Sequence, residues 1–137
     1  MARLIPLALL CSVLLSGAAQ AQGQWPGPAE VRAMVVEAAE RHGANAQQLL
    51  RIVDCETGGS FEVGRVGRLG ERGAGQWLPG VGNAWRLTSH AREGIDIVAL
   101  YRAGSPDAPW LDIDGLAQAF AYSPVQARNE WYYCSRR

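Results

Sequence analysis

The sequence predicts a mainly α-helical chain with one small β-hairpin, folded as a single domain and stapled by one disulfide. Three observations point there. Apolar residues recur at spacings of three and four along several segments. A glycine-rich stretch in the middle interrupts them. Two cysteines, Cys55 and Cys134, remain once an N-terminal export segment is removed.

The export segment comes first. Met1-Ala2-Arg3 is a short basic start, Leu4 to Leu15 is almost wholly apolar, and Ala19-Gln20-Ala21 is a small-x-small cleavage site. The apolar run is short for a membrane span. Leu10 before Cys11 is bulky where a lipoprotein signal wants a small residue. Residues 1–21 are therefore read as a signal peptide, residues 22–28 as a short lead and residues 29–137 as the folded domain. The expected product is secreted or periplasmic and monomeric, starts near Gln22 and carries no integral membrane segment.

In the domain, Val31, Met34, Val35 and Ala38 form a helical stripe that Gly43 can stop. Asn45 can cap a second helix, with Gln48 three residues on, and Leu49, Ile52, Val53 and Glu56 share one face of it until Gly58-Gly59. From Thr57 to Gly82 glycines alternate with Phe61, Val63, Val66, Leu69, Trp77 and Leu78. A linker seldom carries so much apolar surface, so an irregular hairpin fits better. Thr88 or Ser89 begins a third helix through about Ala103, apolar nearly all round and therefore central; Gly104-Ser105-Pro106 breaks it. Leu116 to Tyr122 and Val125 to Tyr133 read as two short helices meeting near Ser123-Pro124.

Charge removes several functions. The chain has 13 basic and 13 acidic side chains, so losing Arg3 with the signal leaves a slight acidic excess. Nucleic acid, which needs clustered positive charge, is not expected as a partner. Every basic residue is arginine, which excludes a Walker-type phosphate loop, a Schiff-base lysine and a Ser-Lys dyad. For Cys55 and Cys134 in an oxidising compartment a disulfide is the default. Zinc, with His42 and His90 added, is the alternative, but the four positions show no metal-ligand spacing. No metal or cofactor is called for. Both histidines are read as surface or capping residues.

Glu56 is the outstanding candidate for chemistry. It continues the apolar stripe at the C-terminal end of its helix, where burial and the carbonyl dipoles both favour the protonated carboxyl. A carboxyl kept neutral can serve as the general acid of glycoside cleavage. Glu71 and Glu62 in the glycine-rich segment are candidates for a second carboxylate, whereas Asp54 points elsewhere on the helix. Trp77 is either a stacking surface for a sugar or a core residue; Trp85, Trp110 and Trp131 are read as packing residues.

Three blocks resemble a known family. Glu56-Thr57-Gly58-Gly59 is similar to the E-S-G-G of the lysozyme-like lytic transglycosylases of the soluble (SLT) type, relatives of goose-type lysozyme. Gly73-Ala74-Gly75-Gln76-Trp77-Leu78-Pro79 resembles their G-L-x-Q-x-x-P, and Ala121-Tyr122-Ser123 resembles their A-Y-N block, with serine for asparagine. The resemblance implies a lysozyme-like α+β fold and a peptidoglycan substrate cut between N-acetylmuramic acid and N-acetylglucosamine. It implies Glu56 as catalytic acid, Gln76 lining the glycan cleft, Tyr122 reaching toward the acid, and Thr57 bonding near it. The expected product has 1,6-anhydro ends. A hydrolytic lysozyme on the same bond, an inactive glycan-binding module of the same fold and a disulfide-stabilised interaction protein remain as alternatives.

Overall fold

A computed structural model describes residues 24–80 and 84–137; the proposed signal segment lies outside the described residues. Helix α1 spans Pro28–His42, with Pro28 opening it and Gly43, at φ +73°, closing it in the left-handed conformation that glycine adopts without strain. Helix α2 spans Ala46–Glu56, and the Asn45 side chain accepts the Gln48 amide at 2.9 Å as its N-cap. Both follow the apolar stripes of the sequence.

The third helix does not run through. A 3₁₀ turn at Ala84–Leu87 leads to α3, Ser89–Arg92, capped by Thr88; Gly94, at φ +80°, turns the chain, and Asp96 caps a separate α4, Ile97–Arg102. An available cap and a glycine thus divide what apolar periodicity alone would join. The central helix is instead α5, Ala108–Tyr122, which begins earlier than the apolar pattern suggests because Pro109 suits its first turn. It packs on α1, α4 and α6, and α6 spans Pro124–Glu130.

Among the described residues no small hairpin is shown. Residues 57–80 are irregular, with isolated antiparallel bridges between Val66 and Arg72 and between Arg72 and Trp77. Arg72 and Trp77 exchange backbone hydrogen bonds at 3.1 and 2.9 Å. Between them Gly73 to Gln76 form a turn, closed by the Gln76 amide on the Gly73 carbonyl at 3.2 Å, and the Ala74 and Gly75 amides at its tip donate inward to the Asp112 carboxylate. The interleaved apolar residues divide accordingly: Phe61, Val63 and Trp77 enter the core, while Val66 and Leu69 stay exposed.

One hydrophobic core joins all the helices, centred on Val31, Val35, Leu49, Ile52, Ile97, Ile113 and Leu116. Trp77 stands edge-on to Trp85 and Trp131 at centroid distances of 4.8 and 5.0 Å. Each buried indole N–H finds an acceptor: Asp112 for Trp77, the Ile95 carbonyl for Trp85 and the Gly75 carbonyl for Trp131. Trp110 departs from the packing role expected of it, being 47% exposed beneath the Arg41 guanidinium at 4.9 Å. Cys55 and Cys134 are bonded, tying the last turn of α2 to the C-terminal segment. Among the described residues no helix is long and apolar enough to cross a membrane.

Candidate active site

Glu56 is the last residue of α2 and half-buried at the edge of a cavity of about 400 Å³. Glu71, Gln76, Trp77 and Leu78 of the glycine-rich segment form one wall; Ala84, Glu130, Trp131 and Tyr133 form the other. Burial, and secondarily the Glu71 carboxylate, push the Glu56 carboxyl up from 4.5 to about 7. The expected direction is therefore found, with burial and a neighbouring charge as its causes. A carboxyl at that value is part protonated near neutral pH and able to give or take a proton.

The segment opposite is shaped to present Glu71 and Gln76. Glu71 Oε2 accepts the Leu69 amide at 2.8 Å, and the Gln76 carboxamide nitrogen donates to the Gly73 carbonyl at 3.0 Å and to Arg65 at 3.3 Å. A Cβ at Gly67 would stand 2.1 Å from Glu71 Oε2 and 2.9 Å from Gln76 Oε1, so both side chains converge over a residue that must lack one. Gln76 itself has φ +47°, a left-handed backbone that costs a side-chain-bearing residue roughly 1–2 kcal/mol. Its own bonds to Gly73 and Arg65 help offset that cost. Arg65 also holds the chain just after α2: its guanidinium donates to the Thr57 carbonyl at 2.7 Å, in space that a side chain at Gly58 would fill.

Of the sequence candidates, the structure brings Glu56, Glu71, Gln76 and Trp77 to one cavity and places the others elsewhere. Thr57 is fully buried, donating to the Val53 carbonyl at 2.7 Å and accepting the Phe61 amide at 2.9 Å. Its hydroxyl is consumed in ending α2 and is not a substrate contact. Trp77 lines the cavity but is only 2% exposed, so no face is open for stacking on a sugar. Glu62 is exposed and lines a different cavity, beside Trp25.

Tyr122 is also displaced from its expected role. It shares a helical face with Asp114 and Gln118, at spacings of four, and its hydroxyl meets His42 Nδ1 at 3.1 Å, away from the Glu56 cavity. The histidines are not surface groups either. His42 and His90 each place Nε2 2.7 Å from Asp114. No cluster suited to a metal is present among the described residues.

Two residues escaped the sequence reading. Tyr133, 82% exposed, stands at the cavity beside Glu56 because Cys134 next to it is bonded to Cys55 next to Glu56. The order of residues around the two cysteines was the available signal. Asp112 had none: it is wholly buried and reaches the 73–77 loop from α5 across 35 to 38 positions of sequence. Compared with protein-family models, curated proteins and solved structures, the chain matches none.

Proposed function

We propose that the chain is an exported, monomeric peptidoglycan-cleaving enzyme, a lytic transglycosylase in which Glu56 is the general acid and base. The observation that carries this reading is a half-buried carboxyl pushed up to about 7 at the edge of a cavity, facing a glutamine and a second carboxylate. Glu56 gives its proton to the oxygen between N-acetylmuramic acid and N-acetylglucosamine as that oxygen leaves the anomeric carbon. The muramoyl 6-hydroxyl oxygen closes onto the same carbon, and its proton returns to the Glu56 carboxylate. The cycle is proton-neutral and uses no metal or cofactor. Gln76 offers its Oε1 to an N–H or hydroxyl of the glycan, and Tyr133 offers an exposed ring beside it.

A hydrolytic muramidase is the second reading, favoured by one observation: Glu71 shares the cavity and is close enough to raise Glu56. A second carboxylate is what activation of water requires. Mass spectrometry of the soluble fragments released from peptidoglycan separates the two, because 1,6-anhydro ends are one water lighter than reducing ends. Anhydro ends support the transglycosylase, and reducing ends lost in Glu71→Gln support the muramidase. A chain that sediments with peptidoglycan but releases nothing is a binding module, and one that does neither has no glycan role.

A further inference from the structure

Asp112 is a buried carboxylate to which the proposed chemistry gives no task. Its Oδ2 accepts the Ala74 amide at 2.6 Å and the Tyr101 hydroxyl at 2.5 Å; its Oδ1 accepts the Gly75 amide at 3.0 Å and the Trp77 indole at 2.5 Å. Three of the four donors lie within residues 73–77, the stretch that carries Gln76 in its left-handed conformation. The fit is close: a Cβ at Gly73 would stand 2.2 Å from Oδ2, and one at Gly75 would stand 2.7 Å from the Trp77 indole nitrogen.

We infer that Asp112 is the positioning residue of the Glu56 cavity: its ionised carboxylate holds the 73–77 loop, and with it Gln76, in place, and its protonation releases that loop. An ionised carboxylate is acceptor-only, with about four lone-pair sites, and here it meets four donors. A protonated one carries a hydrogen that must point at one of those donors. Pointed at an N–H it displaces that bond, and pointed at the Tyr101 oxygen it makes that hydroxyl an acceptor whose own hydrogen has lost its partner; either way a polar hydrogen is left unpaired in a buried site.

The groups facing Asp112 are few. Tyr101 from α4 is the titratable one, and it too is raised, by burial and then by Asp112, so it keeps its proton. The loop contributes two amides and an indole; its charged residues Glu71 and Arg72 form no hydrogen bond or ion pair with Asp112 among the described residues. On α5 itself, Asp114 is turned to Arg41, His42 and His90. Burial outweighs the four donors and sets the Asp112 carboxyl at about 6. Taking Glu56 as the general acid, which this inference rests on, turnover has an acid limb near 6 that belongs to a residue touching no substrate, and a basic limb near 7 that belongs to Glu56.

The test uses the ¹⁵N-labelled exported chain, followed by NMR between pH 4.5 and pH 8 (about the span that brackets both groups), alongside turnover on peptidoglycan. The Trp77 indole N–H and the Ala74 and Gly75 amides are expected to move together on one titration near 6, while the Gln48 amide at the α2 cap does not follow. Tyr101→Phe removes a donor that favours the ionised form, so the common midpoint and the acid limb of kcat/KM both move up by about half to one pH unit. Absence of a common titration, or an acid limb that stays while the midpoint moves, overturns the inference. Titration with no turnover at any pH refutes the reading of Glu56 instead and leaves the hold of Asp112 on the loop supported.

Discussion

Asp112 and Asp114 stand two residues apart on α5, both buried, and they sit in opposite electrostatic surroundings. Burial raises Asp112, and its four neutral donors only partly counter that, so its carboxyl lies at about 6. Burial raises Asp114 too, but bonds from His42, Gln118, Arg41 and His90 together outweigh it and hold the carboxyl at about 2. Arg41 approaches to 2.8 Å and both histidines to 2.7 Å. Each carboxyl has four bonds that lower it, so the difference lies in depth, greater at Asp112, together with the arginine that only Asp114 has among its partners. The side of α5 facing the 73–77 loop is poised to change charge near neutral pH, whereas the side facing α1 and α3 is fixed.

The cavity side depends on the bond between Cys55 and Cys134, which are 79 positions apart. Reduction or Cys134→Ser is expected to lower stability by about 4–5 kcal/mol on chain-entropy grounds. It should also lower turnover, since the bond holds Tyr133 and the end of α2 together. Denaturation curves with and without reductant give the first effect and fragment release the second. Two free thiols in the denatured, unreduced chain would contradict the bridge.

The fixed side is tested by Asp114→Asn, which leaves Arg41 without its ion-pair partner; about 2–4 kcal/mol should be lost at neutral pH. The sign follows from a depressed acid: its contribution is present above the unfolded value of 3.8 and disappears as pH falls through about 2. Wild type and variant should therefore converge in strong acid. A difference that persists there would mean that shape, and not charge, is what Asp114 supplies.

Glu56 behaves in the opposite sense. Its raised carboxyl means that the native state binds the extra proton, so stability falls as pH rises from 4.5 to about 7. Glu56→Gln should be the more stable form above that range by about 1 kcal/mol, a figure reduced for the solvent screening of a half-exposed group. Thermal melts across pH check it, and a gain that persists unchanged below 4.5 would argue against the raised carboxyl. Smallest of all is Tyr122→Phe, expected to change turnover less than about twofold and stability by about 0.5 kcal/mol or less, as for an exposed position. A large loss of turnover there would return Tyr122 to the active site.

How much of this was legible in the sequence depended on range. Local signals worked: Gly43 ended α1, Asn45 capped α2, and the stripe through Leu49, Ile52, Val53 and Glu56 gave the acid its half-buried place. The disulfide followed from counting cysteines. What failed depended on partners distant in sequence. The 73–76 turn is anchored by Asp112, far along the chain, which takes the amides of Ala74 and Gly75. Trp77 was lost to the core through the same carboxylate, and Tyr122 followed Asp114 to the face occupied by His42. Thr57 could have been foreseen, since a threonine at a helix end readily bonds the preceding turn.

The role of Glu56 is tested most directly by comparing release of soluble fragments from purified peptidoglycan by the wild-type chain and Glu56→Gln, at matched folding and matched peptidoglycan binding. Glutamine keeps the shape and cannot give a proton, so release should fall by about a hundredfold to ten-thousandfold while binding persists. Release by Glu56→Gln at the wild-type rate would contradict the account.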